Sequence, residues 1–342
     1  MLDYFFASIW PDKIMKRAQY SQRGPVPQEF IEAVDFEPPT LQSGQVLIQV
    51  LAAPINPSDV LTLTGAYGKL PPLPAVGGNE GVGKVVKLGP DVTAPAVGQT
   101  VLLPVGSGTW ATHVVGEAKR LMPLPGNADP QQLAMMTVNP PTALLMLSEF
   151  VDLQPGDWVI QNAANSGVGA YLIQLAKMRG LKTVNIVRRE SVVADVKSLG
   201  GDVVLVDGSG LAKRVAEATG GASIRLAIDA VGGKSTDNLA MCLAEGGTLV
   251  NYGMMSGEPC VVAPSSFVFR DVTLRGFWLA LWFRKATPTR QMEVFGQVAK
   301  LIADGKLHTR IHATYDVVQI KDAVAAAAAG ERDGKILMVP VV

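Results

Sequence analysis

The sequence predicts an α/β protein in two parts, a compact β-rich unit and a doubly wound parallel sheet. At 342 residues the chain is long enough for two domains with separate cores. Between about residues 25 and 125, short β-branched runs broken by Gly and Pro predict an all-β unit, as in QVLIQVLA, GVGKVVKLG, QTVLLPV and WATHVV. After NPPTALLMLSEF, strand-like and helix-like segments alternate, which is typical of a sheet covered by helices.

The second part contains six predicted strands: DWVIQNAA, TVNIV, DVVLV, RLAIDAV, TLVNYG and VTLRGFW. Helical segments lie between most of them, and the first, GVGAYLIQLAKMRG, is expected to end at Gly180. This alternation predicts a doubly wound parallel sheet. The Ala-rich KDAVAAAAAG, a predicted helix capped by Gly330, leads to the strand KILMVP and returns to the first part. We therefore expect one domain at 138–280, containing the parallel sheet, and a second domain formed by 1–137 and 281–342.

Charge and metal-ligand counts exclude several classes of partner. The 30 Lys and Arg residues balance 30 Asp and Glu residues and are spread along the chain, so neither nucleic acid nor an anionic membrane is expected as a partner. The two cysteines, Cys242 and Cys260, cannot form a four-Cys zinc site, and the three histidines lack metal-ligand spacing. We expect no bound metal.

The opening segment MLDYFFASIWPDKI is apolar but does not have the pattern of a targeting peptide. It lacks a basic n-region and is interrupted by Asp3 and Asp12, unlike a signal peptide or an Arg-rich transit peptide. No apolar run approaches the ~18 residues of a membrane span. We therefore expect a cytoplasmic protein of bacterial type, with residues 1–14 as a candidate extension and Met15 as the start of the fold.

A glycine-containing loop, NAANSGVGA, lies between the first strand and the first helix of the predicted parallel sheet. At such a junction, backbone N–H groups at a helix N-terminus face a pyrophosphate, and Gly167 and Gly169 allow close approach. Ala164 and Ser166 replace the first two glycines of the stricter G-x-G-x-x-G pattern. The position of the loop predicts a dinucleotide site.

The end of the second strand indicates which dinucleotide binds. TVNIV runs directly into Arg188 and Arg189, whose guanidinium groups suit the 2′-phosphate of NADPH. An NAD enzyme usually carries an acidic residue there for the ribose hydroxyl. NADPH is therefore favoured over NADH, and the alternative is that both arginines are solvated while Glu190 binds the ribose.

The run AVGGNEGVGKVV raises a question about how a substrate would be activated. Zinc alcohol dehydrogenases carry a metal-ligand His before the Glu of a very similar run, and here that position is Asn79. Without a metal, a reduction needs another group to supply the electrophile or the proton.

Several segments together resemble the 2-enoyl thioester reductases of the medium-chain dehydrogenase/reductase superfamily, which need no zinc. The segments are INPSDVLTLTGAYGKLPPLPAVGGNEGVG, VNPPTA, VIQNAANSGVG, VGGKS and LRGFWLALW. The similarity extends from about Met15 to the C-terminus, and the family departs from the glycine pattern in the same way. It implies a Rossmann nucleotide-binding domain with a GroES-like catalytic domain, and reduction of trans-2-enoyl thioesters by NADPH in fatty acid metabolism.

The resemblance makes Tyr67 the proton donor, although a Tyr in a GAYG turn would otherwise be interpreted as a half-exposed loop residue. Hydride addition to Cβ of an enoyl thioester leaves an enolate that must be protonated at Cα. A phenol with a pKa near 10 keeps its proton at pH 7 and can supply it.

The resemblance also carries over a set of NADPH-binding positions. Asn139 is expected to contact the cofactor, Trp278 also to line the acyl pocket, and Lys335 to approach the cofactor from the returning segment. Unaided, Trp278 would equally be a core aromatic and Lys335 a solvated lysine. The full set is Asn139, Asn165, Ser166, Gly167, Val168, Arg188, Arg189, Glu190, Tyr252, Gly253, Met254, Met255, Phe277, Trp278, Leu279 and Lys335.

Other functions remain as alternatives. A quinone or alkenal reductase of the same superfamily would bind NADPH similarly without a dedicated Tyr acid. A non-catalytic NADPH-binding protein of the lens-crystallin kind, or one that binds RNA, is a second alternative, and a zinc alcohol dehydrogenase is disfavoured by Asn79 and the lack of Cys ligands. The expected partners are enoyl-CoA or enoyl-ACP as substrate and a second copy of the chain, paired through the edge strand in VTLRGFW.

Overall fold

The computed structural model describes residues 14–37, 39–330 and 332–342, so all but the last residue of the candidate extension 1–14 lies outside the described residues. Packing divides the chain into two compact units, one reaching to Met135 and including Ile311–Val342, the other Met136–Arg310. The segment 281–310, which is predicted above as part of the first domain, falls in the second unit. Its long helix packs against the helix that begins at Asn139.

The described residues of the first unit begin with eight strands and two helices. They are β1 (Met15–Tyr20), β2 (Ile31–Phe36), β3 (Gln45–Ile55), α1 (Pro57–Thr64), β4 (Ala75–Val76), β5 (Val82–Leu88), β6 (Thr100–Leu102), β7 (His113–Glu117), β8 (Met122–Pro123) and α2 (Pro130–Leu133).

The second unit alternates helices and strands. They are α3 (Asn139–Ser148), β9 (Trp158–Gln161), α4 (Gly167–Met178), β10 (Lys182–Val187), α5 (Val193–Ser198), β11 (Val203–Val206), α6 (Leu211–Thr219), β12 (Ile224–Asp229), α7 (Gly233–Cys242), β13 (Thr248–Asn251), α8 (Pro264–Arg270), β14 (Thr273–Gly276), α9 (Leu279–Lys285) and α10 (Pro288–Ala303).

The chain then returns to the first unit through β15 (Ile311–Tyr315), α11 (Ile320–Ala328) and β16 (Lys335–Met338). There, β16 pairs with β3 in a seven-stranded sheet of order β15-β16-β3-β5-β6-β8, with β7 also on β3, and a smaller sheet has the order β2-β1-β4. A core that includes the fully buried Trp110 joins the strands to α11. The predicted β-rich unit is confirmed.

The second unit is a six-stranded sheet of order β11-β10-β9-β12-β13-β14 in which every pairing is parallel. The order reverses between β9 and β12, which is the switch point where Rossmann sheets bind dinucleotides. Helices cover the strands, so Val159 and Ile160 of β9 are completely buried. The predicted doubly wound sheet is confirmed. No helix in the described ranges has both the length and the apolar character to cross a bilayer.

Candidate functional site

The loop from β9 to α4 presents a helix N-terminus at the carboxyl edge of the parallel sheet. Ser166 caps α4 by accepting a hydrogen bond from the N–H of Gly169 at 3.1 Å. A Cβ on Gly169 would lie 2.5 Å from the carbonyl oxygen of Ala164 and 2.8 Å from that of Ala163, so only glycine fits there. The predicted residues Asn165 to Val168 therefore lie at the first turn of α4, where main-chain N–H groups can bind phosphate.

Asp229, at the carboxyl end of β12, organises the neighbouring strand ends and was not identified from the sequence. It is fully buried, and its Oδ1 accepts hydrogen bonds from Asn162 at 2.6 Å and the N–H of Val231 at 2.8 Å. Its Oδ2 accepts from Thr236 at 2.6 Å and Asn251 at 3.0 Å. The sequence signal that could have revealed Asp229 is its charge at the end of the apolar run LAI in RLAID.

The turn after β13 lies against the same loop. The main-chain N–H of Tyr252 donates to the carbonyl of Asp229 at 2.9 Å, and its phenol is hydrogen-bonded to Ser166. Burial raises the pKa of Tyr252 well above its ordinary value. A Cβ on Gly253 would lie 2.7 Å from the carbonyl oxygen of Ala230, while Met254 and Met255 are 53% and 63% exposed. Two predicted groups, the Ser166 loop and the Tyr252 turn, are thus in contact.

The end of β10 carries the predicted phosphate-binding cations. Arg188 is exposed and Arg189 half-buried, and the exposed Glu190 begins a short 3-10 turn. Both arginines directly follow β10, the strand beside β9, at the same carboxyl edge of the sheet as the loop from β9 to α4.

Phe277, Trp278 and Leu279 join β14 to α9. The N–H of Phe277 donates to the carbonyl of Asn251 at 2.8 Å, next to the Tyr252 turn. The guanidinium of Arg284 lies 5.5 Å from the ring centre of the half-buried Trp278. Unlike the half-buried Phe277 and Trp278, Leu279 is buried. Its side chain is 9% exposed and packs with Leu145 and Val294 in a core cluster.

Asn139 begins α3 and is buried in the second unit, with 6% of its surface exposed. It lies at the N-terminal end of a helix whose first turn contains two buried prolines, Pro140 and Pro141. Prolines at the start of a helix have a backbone φ that already suits the helix, so they favour a helix start at Asn139.

Tyr67 lies in the first unit, in a bend that follows α1, and is half-buried. Helix α1 ends at Gly65, whose φ of 84° is the left-handed conformation of a helix C-cap. The N–H of Ala66 then donates to the carbonyl of Leu61 at 2.9 Å, so Tyr67 directly follows a closed helix end.

A buried polar cluster lies at the other end of α1. Lys335, only 6% exposed, donates to the side-chain oxygen of Asn56, whose amide donates to Glu80 at 2.6 Å. Asp59 accepts from the main-chain N–H of Asn56 at 2.7 Å and from the side chain of Asn79 at 2.6 Å. The alternative of a solvated Lys335 is therefore excluded.

The cluster shifts the ionisation of both of its central charged groups. Burial raises the pKa of Asp59 to about 6, against hydrogen bonds from Asn56 and Asn79 that lower it. Burial lowers the pKa of Lys335 to about 8, and the nearby Glu80 carboxylate partly offsets that effect. Within the described residues, no group of three or more His, Cys, Asp or Glu side chains is arranged to hold a metal ion.

Comparison with known proteins places both units in recognised families. Residues 42–126 match the alcohol dehydrogenase GroES-like domain, and residues 167–302 match the zinc-binding dehydrogenase family. The chain is 41% identical over 287 residues to the mitochondrial enoyl-[acyl-carrier-protein] reductase of Rattus norvegicus, covering 82% of this chain and 77% of the relative. It is 40% identical to the Homo sapiens enzyme of that name, covering 89% and 82%.

Solved structures give the same result. A putative NADPH:quinone reductase from Bacillus thuringiensis superposes with a TM-score of 0.87 at 29% identity, covering 96% of this chain and 100% of that one. A complex of Etr1p with NADP and crotonyl-CoA has a TM-score of 0.85 at 28% identity, again covering 96% and 100%. A mitochondrial 2-enoyl thioester reductase heterodimer from Candida tropicalis has a TM-score of 0.84 at 28% identity, with the same coverage.

These relatives correct the expected location. The enzymes of Rattus norvegicus, Homo sapiens and Arabidopsis thaliana are all named mitochondrial, so the expectation of a bacterial-type cytoplasmic protein is wrong. It was based on the composition of the opening segment, and the lack of an Arg-rich pattern there is no evidence for a compartment.

Proposed function

The chain belongs to the 2-enoyl thioester reductases of the medium-chain dehydrogenase/reductase superfamily, and we propose on that basis that it reduces trans-2-enoyl thioesters with NADPH. The observation that carries this proposal is the 40–41% identity to enzymes named enoyl-[acyl-carrier-protein] reductase. The structure of a neighbour with NADP and crotonyl-CoA supports the same substrate and cofactor chemistry.

The cofactor site that we propose is at the carboxyl edge of the parallel sheet. Main-chain N–H groups at the start of α4 bind the pyrophosphate, and Gly169 allows the loop at Ala163 and Ala164 to pack closely against the first turn of the helix. Arg188 and Arg189 bind the 2′-phosphate through charge-assisted hydrogen bonds. The alternative, in which Glu190 binds the ribose, predicts a preference for NADH instead.

The nicotinamide is flanked, in this proposal, by the Tyr252 to Met255 turn and by Phe277 and Trp278, with Asn139 and Lys335 as further contacts. The hydrogen bond between Tyr252 and Ser166 supports this arrangement, since it joins the turn to the phosphate loop. Leu279 contributes through its main chain, because its side chain is packed in the core.

Tyr67 is the general acid in the proposed reaction. NADPH supplies the hydride that adds to Cβ of the substrate. The phenol of Tyr67 gives its proton to Cα of the resulting enolate, so that one hydride and one proton saturate the C=C bond. The tyrosinate then regains a proton from solvent. Asn79 stands where zinc alcohol dehydrogenases carry a metal-ligand His. In this proposal Tyr67 therefore serves in place of a metal.

The carrier and the competing activity can be tested together. Initial rates are measured with trans-2-enoyl thioesters of increasing chain length on CoA and on acyl carrier protein, with NADPH and NADH, and with 1,4-benzoquinone as the alternative acceptor. We expect NADPH-dependent reduction of enoyl thioesters at rates well above those with quinone. The similarity to a putative NADPH:quinone reductase favours that second candidate function, and quinone turnover without enoyl thioester turnover would establish it.

The protein is also proposed to be a homodimer, formed by pairing of β14 with its copy. β14 ends the six-stranded sheet, and β13 is its one strand neighbour within the described part of the chain. The adjacent helix α8 exposes Phe267, Val268 and Phe269 by 42%, 71% and 80%. An open edge beside an exposed apolar surface is the pattern of a sheet that continues into a partner.

A further inference from the structure

Asn79 has a structural connection that the proposed chemistry does not use. It is half-buried between β4 and β5, at the position where zinc alcohol dehydrogenases carry a metal-ligand His. Its side-chain amide donates to Oδ1 of Asp59 at 2.6 Å, and its main-chain N–H is also bonded to that carboxylate. Asp59 is only 3% exposed, so these bonds are shielded from water.

Asp59 connects Asn79 to the start of α1. It is the third residue of the helix, and its Oδ2 accepts the N–H of the capping residue Asn56 at 2.7 Å. Each carboxylate oxygen therefore has its own donor, one from the helix start and one from Asn79. This arrangement ties the first turn of α1 to a different segment of the chain.

The segment that carries Asn79 is itself rigid. The carbonyl of Asn79 accepts the N–H of Gly106 at 2.9 Å. Gly78, with a φ of 98°, packs so closely that a Cβ would lie 2.4 Å from Oγ1 of Thr109 and 2.7 Å from the main-chain nitrogen of Trp110. Asn79 thus projects from a backbone that has little freedom to move.

Tyr67 lies three residues beyond Thr64, the last residue of α1, so its position depends on the direction of that helix. Eight helical residues span about 12 Å, so a tilt of about 5° at one end moves the other by about 1 Å. A displacement of that size can reduce catalysis by about 100-fold. We propose that Asn79 is a positioning residue for Tyr67, acting through Asp59 and α1. This inference rests on the proposed role of Tyr67 as general acid.

A double-mutant cycle tests the inference with crotonyl-CoA and NADPH. Asn79→Leu keeps the approximate volume and removes the side-chain donor to Asp59, while the main-chain N–H at this position is retained. We expect kcat to fall by about 10- to 100-fold with little change in the Kd for NADPH. In the Tyr67→Phe background the same substitution should have almost no further effect on kcat, because the group that it positions is gone. A role in general stability would lower kcat by the same factor in both backgrounds.

Control variants distinguish a failure of the proposed role of Asn79 from a failure of the proposed role of Tyr67. Gln45→Leu removes a comparable amide donor to Glu117 (3.1 Å) on β3 of the same unit and should leave kcat unchanged. Asn79→Gln keeps the carboxamide and should recover part of the lost rate, and Asn79→Ser replaces Asn79→Leu if the latter does not fold. The inference would be overturned by wild-type kcat in a folded Asn79→Leu protein. It would also be overturned if Asn79→Leu lowered kcat by the same factor in the wild-type and Tyr67→Phe backgrounds. Wild-type kcat in Tyr67→Phe would instead overturn the proposed general acid.

Discussion

Tyr67 is the residue on which the proposed chemistry depends most directly. Tyr67→Phe removes one oxygen and keeps the ring, so packing and NADPH binding should survive. We expect kcat for an enoyl thioester to fall by about 10²–10⁴, the usual effect of losing a positioned proton donor. Residual turnover in D₂O should give mixed stereochemistry at Cα, while Cβ is still labelled stereospecifically from deuterated NADPH. Near wild-type kcat with stereospecific protonation at Cα would favour the quinone or alkenal reductase alternative.

Arg188 and Arg189 are the residues proposed to set the preference for NADPH over NADH. Replacing both by Ala should raise the KM for NADPH and leave that for NADH nearly unchanged, since only the 2′-phosphate loses charge-assisted bonds worth roughly 1.5–3 kcal/mol each. Steady-state kinetics with both cofactors measure the split. Equal losses with NADPH and NADH would show that the arginines have a general structural role.

Lys335 is expected to make the stability of the protein depend on pH. Its pKa is about 8 in the fold against an ordinary value of 10.5, so between these values the unfolded chain binds more protons than the native one. The free energy of unfolding should therefore rise with pH across that window, relative to Lys335→Met, by up to about 3 kcal/mol. Urea titrations of both proteins from pH 7.5 to 10.5 test this, and parallel curves would contradict it.

The surroundings of Lys335 could not be predicted from the sequence. The types and order of residues were enough to indicate a phosphate loop and two basic residues beyond β10. They could not indicate that Lys335 is buried beside Asn56, because those residues are 279 positions apart and become neighbours only when β16 pairs with β3. Asp229 was missed for a similar reason, since its donors come from three separate segments.

At the scale of elements, the junction between β9 and α4 has a strict packing requirement. Gly169→Ala would place a methyl group 2.5 Å from a carbonyl oxygen of the backbone, which cannot move aside as a side chain could. We expect a lower melting temperature and a weaker Kd for NADPH, measured by calorimetry and fluorescence titration.

Gly296, inside α10, is the matched control for that substitution. A Cβ there meets nothing within 4 Å, so Gly296→Ala should stabilise the protein by about 0.5–1 kcal/mol through helix propensity alone. If Gly169→Ala were equally stabilising, the close packing at the junction would not be a constraint on the fold.

Most elements were predictable because their burial follows from their pattern. Strands β9 to β13 of the second unit contain apolar runs, as a sheet covered by helices requires, whereas the edge strand β14, TLRG, is largely exposed. The placement of 281–310 was less predictable. Helix α10 buries Val294 in the same cluster as Leu145 of α3, and that contact depends on how α3 packs rather than on any local signal.

At the scale of the whole molecule, the proposed homodimer depends on the surface formed by β14 and α8. The sequence predicts an apolar terminal strand, while the exposure of α8 is evident only in the structure. Phe269, which is 80% exposed, offers a large apolar side chain that a partner would bury, whereas a monomer would leave it in water.

Phe269→Asp should therefore convert the dimer to a monomer without unfolding it, because a carboxylate would be buried without a counter-charge at the interface. Light scattering over a range of concentrations measures the mass, and circular dichroism reports the fold. Val97→Asp is the control, since Val97 is an exposed valine of the first unit, 59% accessible, and its replacement should leave the dimer intact. A wild-type chain that is monomeric at every concentration would contradict the proposal, as would a dimer that tolerates Phe269→Asp.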